Sequence, residues 1–320
     1  MTEITHRQIE TNGINMHIAE AGEGPLVLMI HGFPELSYAW RHQLPALADA
    51  GYHAVAPDLR GYGDSDTPHE VEAYRMREMV ADFVGIVDAL GEEQAVIVGQ
   101  DWGAMMTWTA AALRPDRFRA VVGMSVPYLP RGPIPPLQMM NAMFANNFFY
   151  MLYFQEEGVA EAEFEADIRD SLLKFLYFAS GDLPDAEAAA MTRMNRPKDS
   201  TLFEGVDSPN RLPGWLTEED LNTFTAAFEK TGFRGGLNRY RNMDRDWEEI
   251  PELAGAKIEQ PALFISGEKD GVRTFAPMDP MKEFVTDLRK LVTLPGCGHW
   301  TQQERPNEVN AELIEFLNGL

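Results

Sequence analysis

Cysteine, long apolar stretches and basic residues are all scarce in this sequence. Cys297 is the single cysteine, so no disulfide can form within the chain and nothing requires an oxidising compartment. The N-terminal stretch M-T-E-I-T-H-R-Q-I-E lacks the apolar core of a signal peptide, and the apolar runs elsewhere are too short to span a bilayer. The sequence therefore predicts a soluble protein without membrane contact, with the cytoplasm as its location.

The charge balance and the missing motifs limit the classes of ligand that this protein is expected to bind. Lysine and arginine together number 27 against 50 aspartates and glutamates, which gives a formal net charge of -23. Such an acidic chain is a poor partner for nucleic acid or an anionic membrane. There is no phosphate loop and no metal-ligand cluster, and Gly61-Tyr62-Gly63 lacks the third glycine of a dinucleotide fingerprint. We therefore expect no nucleic-acid partner, no cofactor and no metal ion.

Short β-rich runs alternate with helical patterns over most of the chain. These runs cover residues 25–30, 52–56, 95–98, 120–126, 261–266 and 290–294. The alternation predicts an α/β fold with a mainly parallel, doubly wound sheet and right-handed crossovers. In such sheets ligands bind at the carboxyl ends of the strands, so candidate chemistry should gather there.

The alternation stops after residue 127 and resumes near residue 246. Between them only helical patterns occur, at residues 137–155, 160–178 and 218–230, with a polar, proline-containing loop at residues 196–213. Methionine and aromatic residues crowd the first pattern, which indicates packing first and a substrate lining second. We predict a core domain of residues 1–127 and 246–320, interrupted by a helical cap of residues 128–245.

One aspartate stands where a β-run meets a helix. Asp101 lies in G-Q-D-W-G, flanked by Gly99 and Gly103 as the serine is flanked in the G-x-S-x-G nucleophile elbow. A carboxylate is already ionised at neutral pH and suits displacement at a saturated carbon, which leaves an ester on the enzyme. The alternative interpretation of Asp101 is an N-cap of the helix that follows. The elbow pattern favours the nucleophile.

Several motifs spread over the chain resemble those of the α/β-hydrolase superfamily, and within it those of soluble epoxide hydrolases with a helical cap. The core motifs are H-G-F-P at residues 31–34, D-L-R-G-Y-G-D-S at 58–65, G-Q-D-W-G-A at 99–104, G-E-K-D-G at 267–271 and G-H-W at 298–300. The cap segments at residues 150–164 and 236–247 are similar to those that supply two epoxide-binding tyrosines. The resemblance implies an α/β-hydrolase fold, a mostly parallel doubly wound sheet with an inserted all-helical cap (lid) domain.

The resemblance also implies roles for individual residues. Its catalytic set in this chain is Asp101 as nucleophile, Asp270 as acid, His299 as base, and Tyr150 and Tyr240 as donors to the epoxide oxygen.

The residues around this set are assigned in the same way. The backbone N–H groups of Phe33 and Trp102 would form the oxyanion hole, and the Phe33-Pro34 bond would be cis. His31 is interpreted as a structural residue of that loop. Glu268 is a neighbouring rival for the acid, and for Asp270 the alternative is a turn residue before Gly271.

The expected activity is the conversion of an epoxide and water to a vicinal diol through an ester on Asp101. The epoxide and water are then the expected partners, and a homodimer is possible. A haloalkane dehalogenase is the main alternative, because such enzymes also use an elbow aspartate followed by tryptophan. Many of them carry asparagine where this chain has Phe33. A non-catalytic binding protein of the same fold is a second alternative, although nucleophile, acid and base are all present.

Overall fold

The centre of the computed structural model, which describes residues 2–184 and 196–320, is an eight-stranded sheet. Its order is β1-β2-β4-β3-β5-β6-β7-β8. The strands are β1 (Thr5–Thr11), β2 (Ile14–Ala21), β3 (Leu26–Ile30), β4 (His53–Pro57), β5 (Ala95–Gln100), β6 (Phe118–Met124), β7 (Ala262–Gly267) and β8 (Leu288–Leu294). Strands β1 and β2 form an antiparallel hairpin, β2 pairs antiparallel with β4, and all other pairs are parallel.

The central strands are apolar along their whole length because helices cover both faces of the sheet. Every residue of β3, β5 and β7 is buried, as expected of parallel strands between two helical layers. Within β3, Leu28 and Ile30 belong to the apolar cluster on one face, whereas Val27 and Met29 belong to the cluster on the other. The predicted α/β fold with a mostly parallel sheet is therefore confirmed.

Helices make up the rest of the regular structure in the described residues. They are α1 (Gln43–Asp49), α2 (Met76–Ala89), α3 (Trp102–Leu113), α4 (Pro136–Met143), α5 (Tyr150–Tyr153), α6 (Val159–Glu165), α7 (Ile168–Phe178), α8 (Glu218–Thr231), α9 (Arg234–Arg241), α10 (Met243–Glu249), α11 (Asp279–Phe284), α12 (Thr301–Glu304) and α13 (Pro306–Asn318). Among the described residues, no helix is both long and apolar enough to cross a membrane.

The inserted segment between β6 and β7 is helical, as predicted, but two of its helices are broken. The predicted helix at 137–155 is instead α4 and α5, because the backbone is extended at Phe149. The predicted helix at 160–178 is instead α6 and α7, because the Asp167 side chain accepts a hydrogen bond from the Asp170 N–H and starts a new helix. Helices α9 and α10 were not predicted.

The remaining expectations for this segment have mixed outcomes. The helix predicted at 218–230 is confirmed as α8, and residues 196–213 contain no helix or strand. Residues 185–195 of the predicted cap lie outside the described residues. The boundaries of the cap at residues 128 and 245 stay a prediction.

Candidate active site

Asp101 occupies a sharp turn between β5 and α3. Its φ of 56° lies in a region that non-glycine residues rarely adopt. The turn needs close contact between backbones: a Cβ on Gly99 would lie 2.2 Å from the Gly103 carbonyl oxygen, and a Cβ on Gly103 would lie 2.0 Å from the carbonyl oxygen of Ile30. Glycine at both positions therefore allows strand, turn and helix to approach one another. The geometry is that of a nucleophile elbow, and the Asp101 side chain makes no helix-capping hydrogen bond.

The loop after β3 reaches the Asp101 carboxylate. The backbone N–H of Phe33 donates a hydrogen bond to Asp101 Oδ1 at 2.9 Å. A Cβ on Gly32 would lie 2.5 Å from the same oxygen, so only glycine permits this approach. The Phe33-Pro34 bond is cis, as the resemblance implied. Trp102, the other predicted contributor to the oxyanion hole, directly follows Asp101 as the first residue of α3.

His299 lies between two carboxylates. Its Nδ1 is 3.0 Å from Asp270 Oδ2 and 3.1 Å from Asp270 Oδ1, and its Nε2 is 3.3 Å from Asp101 Oδ2. Asp270 also accepts a hydrogen bond from the Val272 N–H, so it is a turn residue and a partner of His299 at once. The rival carboxylate, Glu268, is exposed and accepts a hydrogen bond from the Gly296 N–H.

The two carboxylates control the charge of the imidazole. Burial alone would lower the pKa of His299, but the negative charge of Asp270 and the hydrogen bonds to Asp101 and Asp270 outweigh it. The pKa of His299 is therefore well above its usual value, so the two negative charges favour the imidazolium form while Asp101 is a free carboxylate.

The two predicted tyrosines pack edge to face and line the same cavity as Asp101. The rings of Tyr150 and Tyr240 have centroids 6.2 Å apart, and Tyr240 also packs edge-on against Trp102 at 5.0 Å. Burial, and then the negative charge of Asp101, raise the pKa of both phenols. Both tyrosines are therefore protonated at neutral pH and can donate hydrogen bonds.

One cavity of about 700 Å³ joins these groups. Asp101, Tyr150, Tyr240, Asp270 and His299 all line it. The rest of its wall is rich in phenylalanine, including Phe33, Phe144, Phe148, Phe149, Phe175 and Phe178. The aromatic stretch expected to serve packing first thus also supplies part of the lining, whereas its Met139 and Met143 are exposed.

A buried acid beside this cluster was missed from the sequence. Glu35 follows the H-G-F-P motif and accepts hydrogen bonds from the side chains of Gln302, at 3.0 Å, and Gln303, at 2.7 Å. Burial and the negative charge of Asp101 raise the pKa of Glu35 to about 7. Its position next to the motif was the available signal, but its burial was not visible in the sequence. His31 is structural, as predicted: its Nδ1 donates to the Gly32 carbonyl and its Nε2 accepts from the Leu59 N–H.

The fold and this cluster of residues together indicate an α/β-hydrolase. A model of the alpha/beta hydrolase fold family matches residues 25–306. The chain belongs to the α/β-hydrolase fold family, and within it to the epoxide hydrolases, as the following similarities show.

The chain is similar to epoxide hydrolases over nearly its whole length. It is 47% identical over 318 residues to epoxide hydrolase A of Mycobacterium tuberculosis (strain ATCC 25618 / H37Rv), covering 99% of this chain and 98% of that protein. It is 43% identical over 325 residues to epoxide hydrolase 1 of Siraitia grosvenorii, covering 99% of each. The crystal structure of epoxide hydrolase A from Mycobacterium thermoresistibile superposes with a TM-score of 0.94 at 48% identity, covering 99% of both chains.

The predicted activity is therefore confirmed. The protein is an enzyme that hydrolyses an epoxide to a vicinal diol through an ester on an aspartate, the mechanism general to this family. These similarities favour epoxide hydrolysis over the dehalogenase and the binding protein that the sequence left open.

Proposed function

We propose that Asp101 is the nucleophile of this epoxide hydrolase. The observation that carries the proposal is the position of its carboxylate in the cavity, between the Phe33 amide and His299. Oδ1 is already bound by the amide, so Oδ2 is the oxygen that attacks a ring carbon. The new bond from Oδ2 to carbon forms as the bond from carbon to the epoxide oxygen breaks.

Tyr150 and Tyr240 act on the leaving oxygen. An alkoxide leaves readily only if its oxygen receives a hydrogen bond or a proton as the ring opens. Two protonated phenols that pack against each other and line the same cavity as Asp101 meet this need. One of them gives its proton to the alkoxide, which produces a hydroxyl group and a tyrosinate.

His299 changes role when the ester forms. The ester carries no charge, so one of the two charges that raise the pKa of His299 is lost and the imidazolium becomes more acidic. The imidazolium gives its proton to the tyrosinate, which becomes a neutral tyrosine again. The neutral Nε2, oriented by Asp270, then takes a proton from water as the oxygen of that water bonds to the ester carbonyl carbon.

The oxyanion hole serves this second step. The negative charge that develops on Oδ1 is stabilised by the Phe33 N–H, which donates to that atom, and by the N–H of Trp102. When the intermediate collapses, the diol leaves, Asp101 is a carboxylate again and His299 is protonated. Atoms and protons balance as one epoxide plus one water giving one diol.

The substrate class, the cellular location and the oligomeric state are further parts of the proposal. The phenylalanine-rich wall favours an apolar epoxide, particularly one with an aryl group. The single cysteine and the acidic composition fit the cytoplasm. A homodimer stays a prediction.

Trapping the ester tests the proposal. The variant Asp101→Ala should have no turnover, because no ester can form. The variant His299→Gln should still be alkylated, so that intact-protein mass spectrometry after mixing with styrene oxide shows an adduct of one substrate mass. A His299→Gln protein that gives no adduct would contradict the proposal.

Asp270 and Glu268, two acids in the same loop, provide a matched pair of variants. Asp270→Asn should slow decay of the ester, because the partner of the imidazole Nδ1 loses its negative charge and no longer stabilises the imidazolium. Glu268→Gln should leave the decay rate unchanged, because Glu268 contacts the Gly296 amide instead. Equal effects of both variants would reject Asp270 as the orienting acid.

A further inference from the structure

The backbone of His299 is held as firmly as its ring. Its carbonyl oxygen accepts hydrogen bonds from Ser125 Oγ at 2.6 Å, from Gln100 Nε2 at 2.9 Å and from the Thr301 N–H at 3.0 Å. Its N–H donates to the Ala179 carbonyl at 2.8 Å. Two of these four partners are side chains, and both lie at the carboxyl ends of neighbouring parallel strands, β5 and β6.

Ser125 has an unfavourable backbone conformation. Its φ is +67°, and in the part of the chain that the structure describes the other non-glycine residues with positive φ are Asn12 and Asp101. Such a conformation costs on the order of 1–3 kcal/mol and persists where the surroundings demand it. Glycine would adopt it without this cost. A serine at this place suggests that the hydroxyl is needed: it donates to the His299 carbonyl at 2.6 Å and accepts a long hydrogen bond from Gln100 Nε2 at 3.5 Å.

Gln100 gives an independent indication. It is fully buried, yet its Oε1 has no hydrogen-bond partner among the described residues. Burying an unpaired polar atom is unfavourable, so an apolar side chain of similar size would be the better choice for packing alone. The amide is therefore useful for its other end, Nε2, which donates to the His299 carbonyl.

The two halves of the reaction place different demands on His299. During attack on the epoxide, His299 has two carboxylate partners. In the ester, Asp101 is uncharged, so the position of the imidazole depends on Asp270 and on the backbone that bears it. The base must then lie within hydrogen-bond reach of a water aimed at the ester carbonyl.

We propose that Ser125 and Gln100 are positioning residues that hold the His299 backbone for hydrolysis of the ester, and that they are dispensable for its formation. The proposal rests on the proposed function, in which His299 is the base of the second step.

Three variants and one control test this role in the full-length enzyme. Ser125→Ala removes the hydroxyl and keeps the strained backbone, Ser125→Gly removes the hydroxyl and relieves the strain, and Gln100→Met removes the amide. Thr107→Val is the control, since it removes a fully buried hydroxyl that has no partner among the described residues. Rapid quenching followed by mass spectrometry measures ester formation and decay separately with styrene oxide.

The expected result separates the two steps. Ester formation stays within about twofold of the parent in all four proteins, because each keeps Asp101 and both tyrosines. Ester decay slows about ten- to a hundredfold in the two serine variants and in Gln100→Met, as expected of a misplaced base. Ser125→Gly should unfold at a higher temperature than Ser125→Ala and yet show the same slow decay. Thr107→Val should match the parent in both steps.

Other results would overturn the proposal. Unchanged decay in the serine variants would show that the hydroxyl does not position His299, and equal slowing of both steps would indicate general damage to the site. The proposed function is tested separately: it fails if His299→Gln accumulates no ester, whereas the present inference fails if that ester accumulates and Ser125→Ala hydrolyses its ester at the parent rate.

Discussion

The two oxygens of the Asp101 carboxylate have different partners. We base the separate roles that we propose for the two oxygens on this difference. Oδ1 accepts from the Phe33 amide and Oδ2 faces His299 Nε2. Oδ1, which the amide binds, suits the carbonyl of the proposed ester, and Oδ2 is the oxygen that we propose attacks the epoxide. The G-x-D-x-G pattern identifies the residue, but only the folded chain distinguishes its two oxygens.

The two tyrosines permit a prediction at the level of single residues. Tyr150→Phe and Tyr240→Phe should each lower the rate of ester formation by about ten- to a hundredfold, below the roughly 10²- to 10⁴-fold contribution of a lone proton donor, because the other phenol remains. Decay of the ester should change little, because that step needs His299 and the oxyanion hole. Stopped-flow tryptophan fluorescence during a single turnover measures both rates.

A third tyrosine provides the control for this prediction. Tyr153 lies on the same short helix, but its hydroxyl donates to Glu163 at 2.7 Å and belongs to the packing of the cap. Tyr153→Phe should therefore form the ester at the parent rate. If Tyr150→Phe and Tyr240→Phe also keep that rate, the assignment of the cap tyrosines is wrong.

Among elements, the ends of parallel strands bring the reactive groups together. Phe33 follows β3, Asp101 follows β5, Asp270 follows β7 and His299 follows β8. The order of strands in the sheet sets the distances between these loops. The two tyrosines lie on helices of the segment inserted between β6 and β7. Asp101, Asp270 and His299 do meet at this edge, as their contacts show, and that the reaction takes place there stays a prediction.

The loop at residues 58–65 is tied to neighbouring segments by one buried carboxylate. Asp58 accepts hydrogen bonds from the Ser37 N–H, from His17 Nδ1 and from the Asp64 N–H. Burial alone would raise the pKa of Asp58, but these hydrogen bonds and the charge of His17 outweigh it and lower the pKa to about 2. The folded state therefore favours the ionised carboxylate.

This pKa gives a stability prediction with a defined sign. An acid with a lowered pKa stabilises the fold above its unfolded value, near pH 4, and loses that contribution as pH falls toward 2. Asp58→Asn should lower the free energy of unfolding by about 2 kcal/mol at pH 7, and the difference from the parent should shrink below pH 4. Urea unfolding at pH 7, 5 and 3 measures it.

Asp64 is the matched control for Asp58. It lies in the same loop, but its carboxylate is exposed and pairs with Lys230, which is also exposed. Asp64→Asn should therefore change stability by less than about 1 kcal/mol. A loss at Asp58 no larger than that at Asp64, or one independent of pH, would contradict the role given to the buried carboxylate.

At the scale of the whole molecule, core and cap jointly determine which substrate reacts. The core supplies Asp101 and His299, the proposed nucleophile and base, whereas the inserted helices supply the two phenols and most of the aromatic wall of the cavity. Phenols can protonate an alkoxide, but a halide leaving group needs no proton. The combined cavity should therefore accept apolar epoxides and reject haloalkanes.

A substrate panel checks this expectation. The kcat/KM for styrene oxide should exceed that for 1,2-epoxybutane by about ten- to a hundredfold, because a buried aryl group adds about 1.5–3 kcal/mol of apolar stabilisation. Neither 1-chlorohexane nor 1-bromohexane should release halide. Diol formation is followed by chromatography and halide release by an ion-selective electrode. Halide release without epoxide turnover would reverse the assignment.

The sequence by itself determined the fold class and the elbow and predicted the role of its aspartate, because these depend on local patterns. A β-run, two glycines and a carboxylate are all visible within residues 95–103. The cap tyrosines and the acid-histidine pair came from a resemblance to known motifs, and the breaks at Phe149 and Asp167 were missed because apolar spacing continues across them.

The tertiary structure alone decided the contacts that join distant segments. Packing of strands and loops brings Asp270, and not Glu268, into contact with His299. It also buries Glu35 and places Ser125 and Gln100 where they donate hydrogen bonds to the His299 carbonyl. Burial and hydrogen bonding between residues far apart in the chain leave no local pattern. The local pattern of the elbow therefore indicated the type of reaction. The packing around the elbow decided which residues contact His299 and which line the cavity.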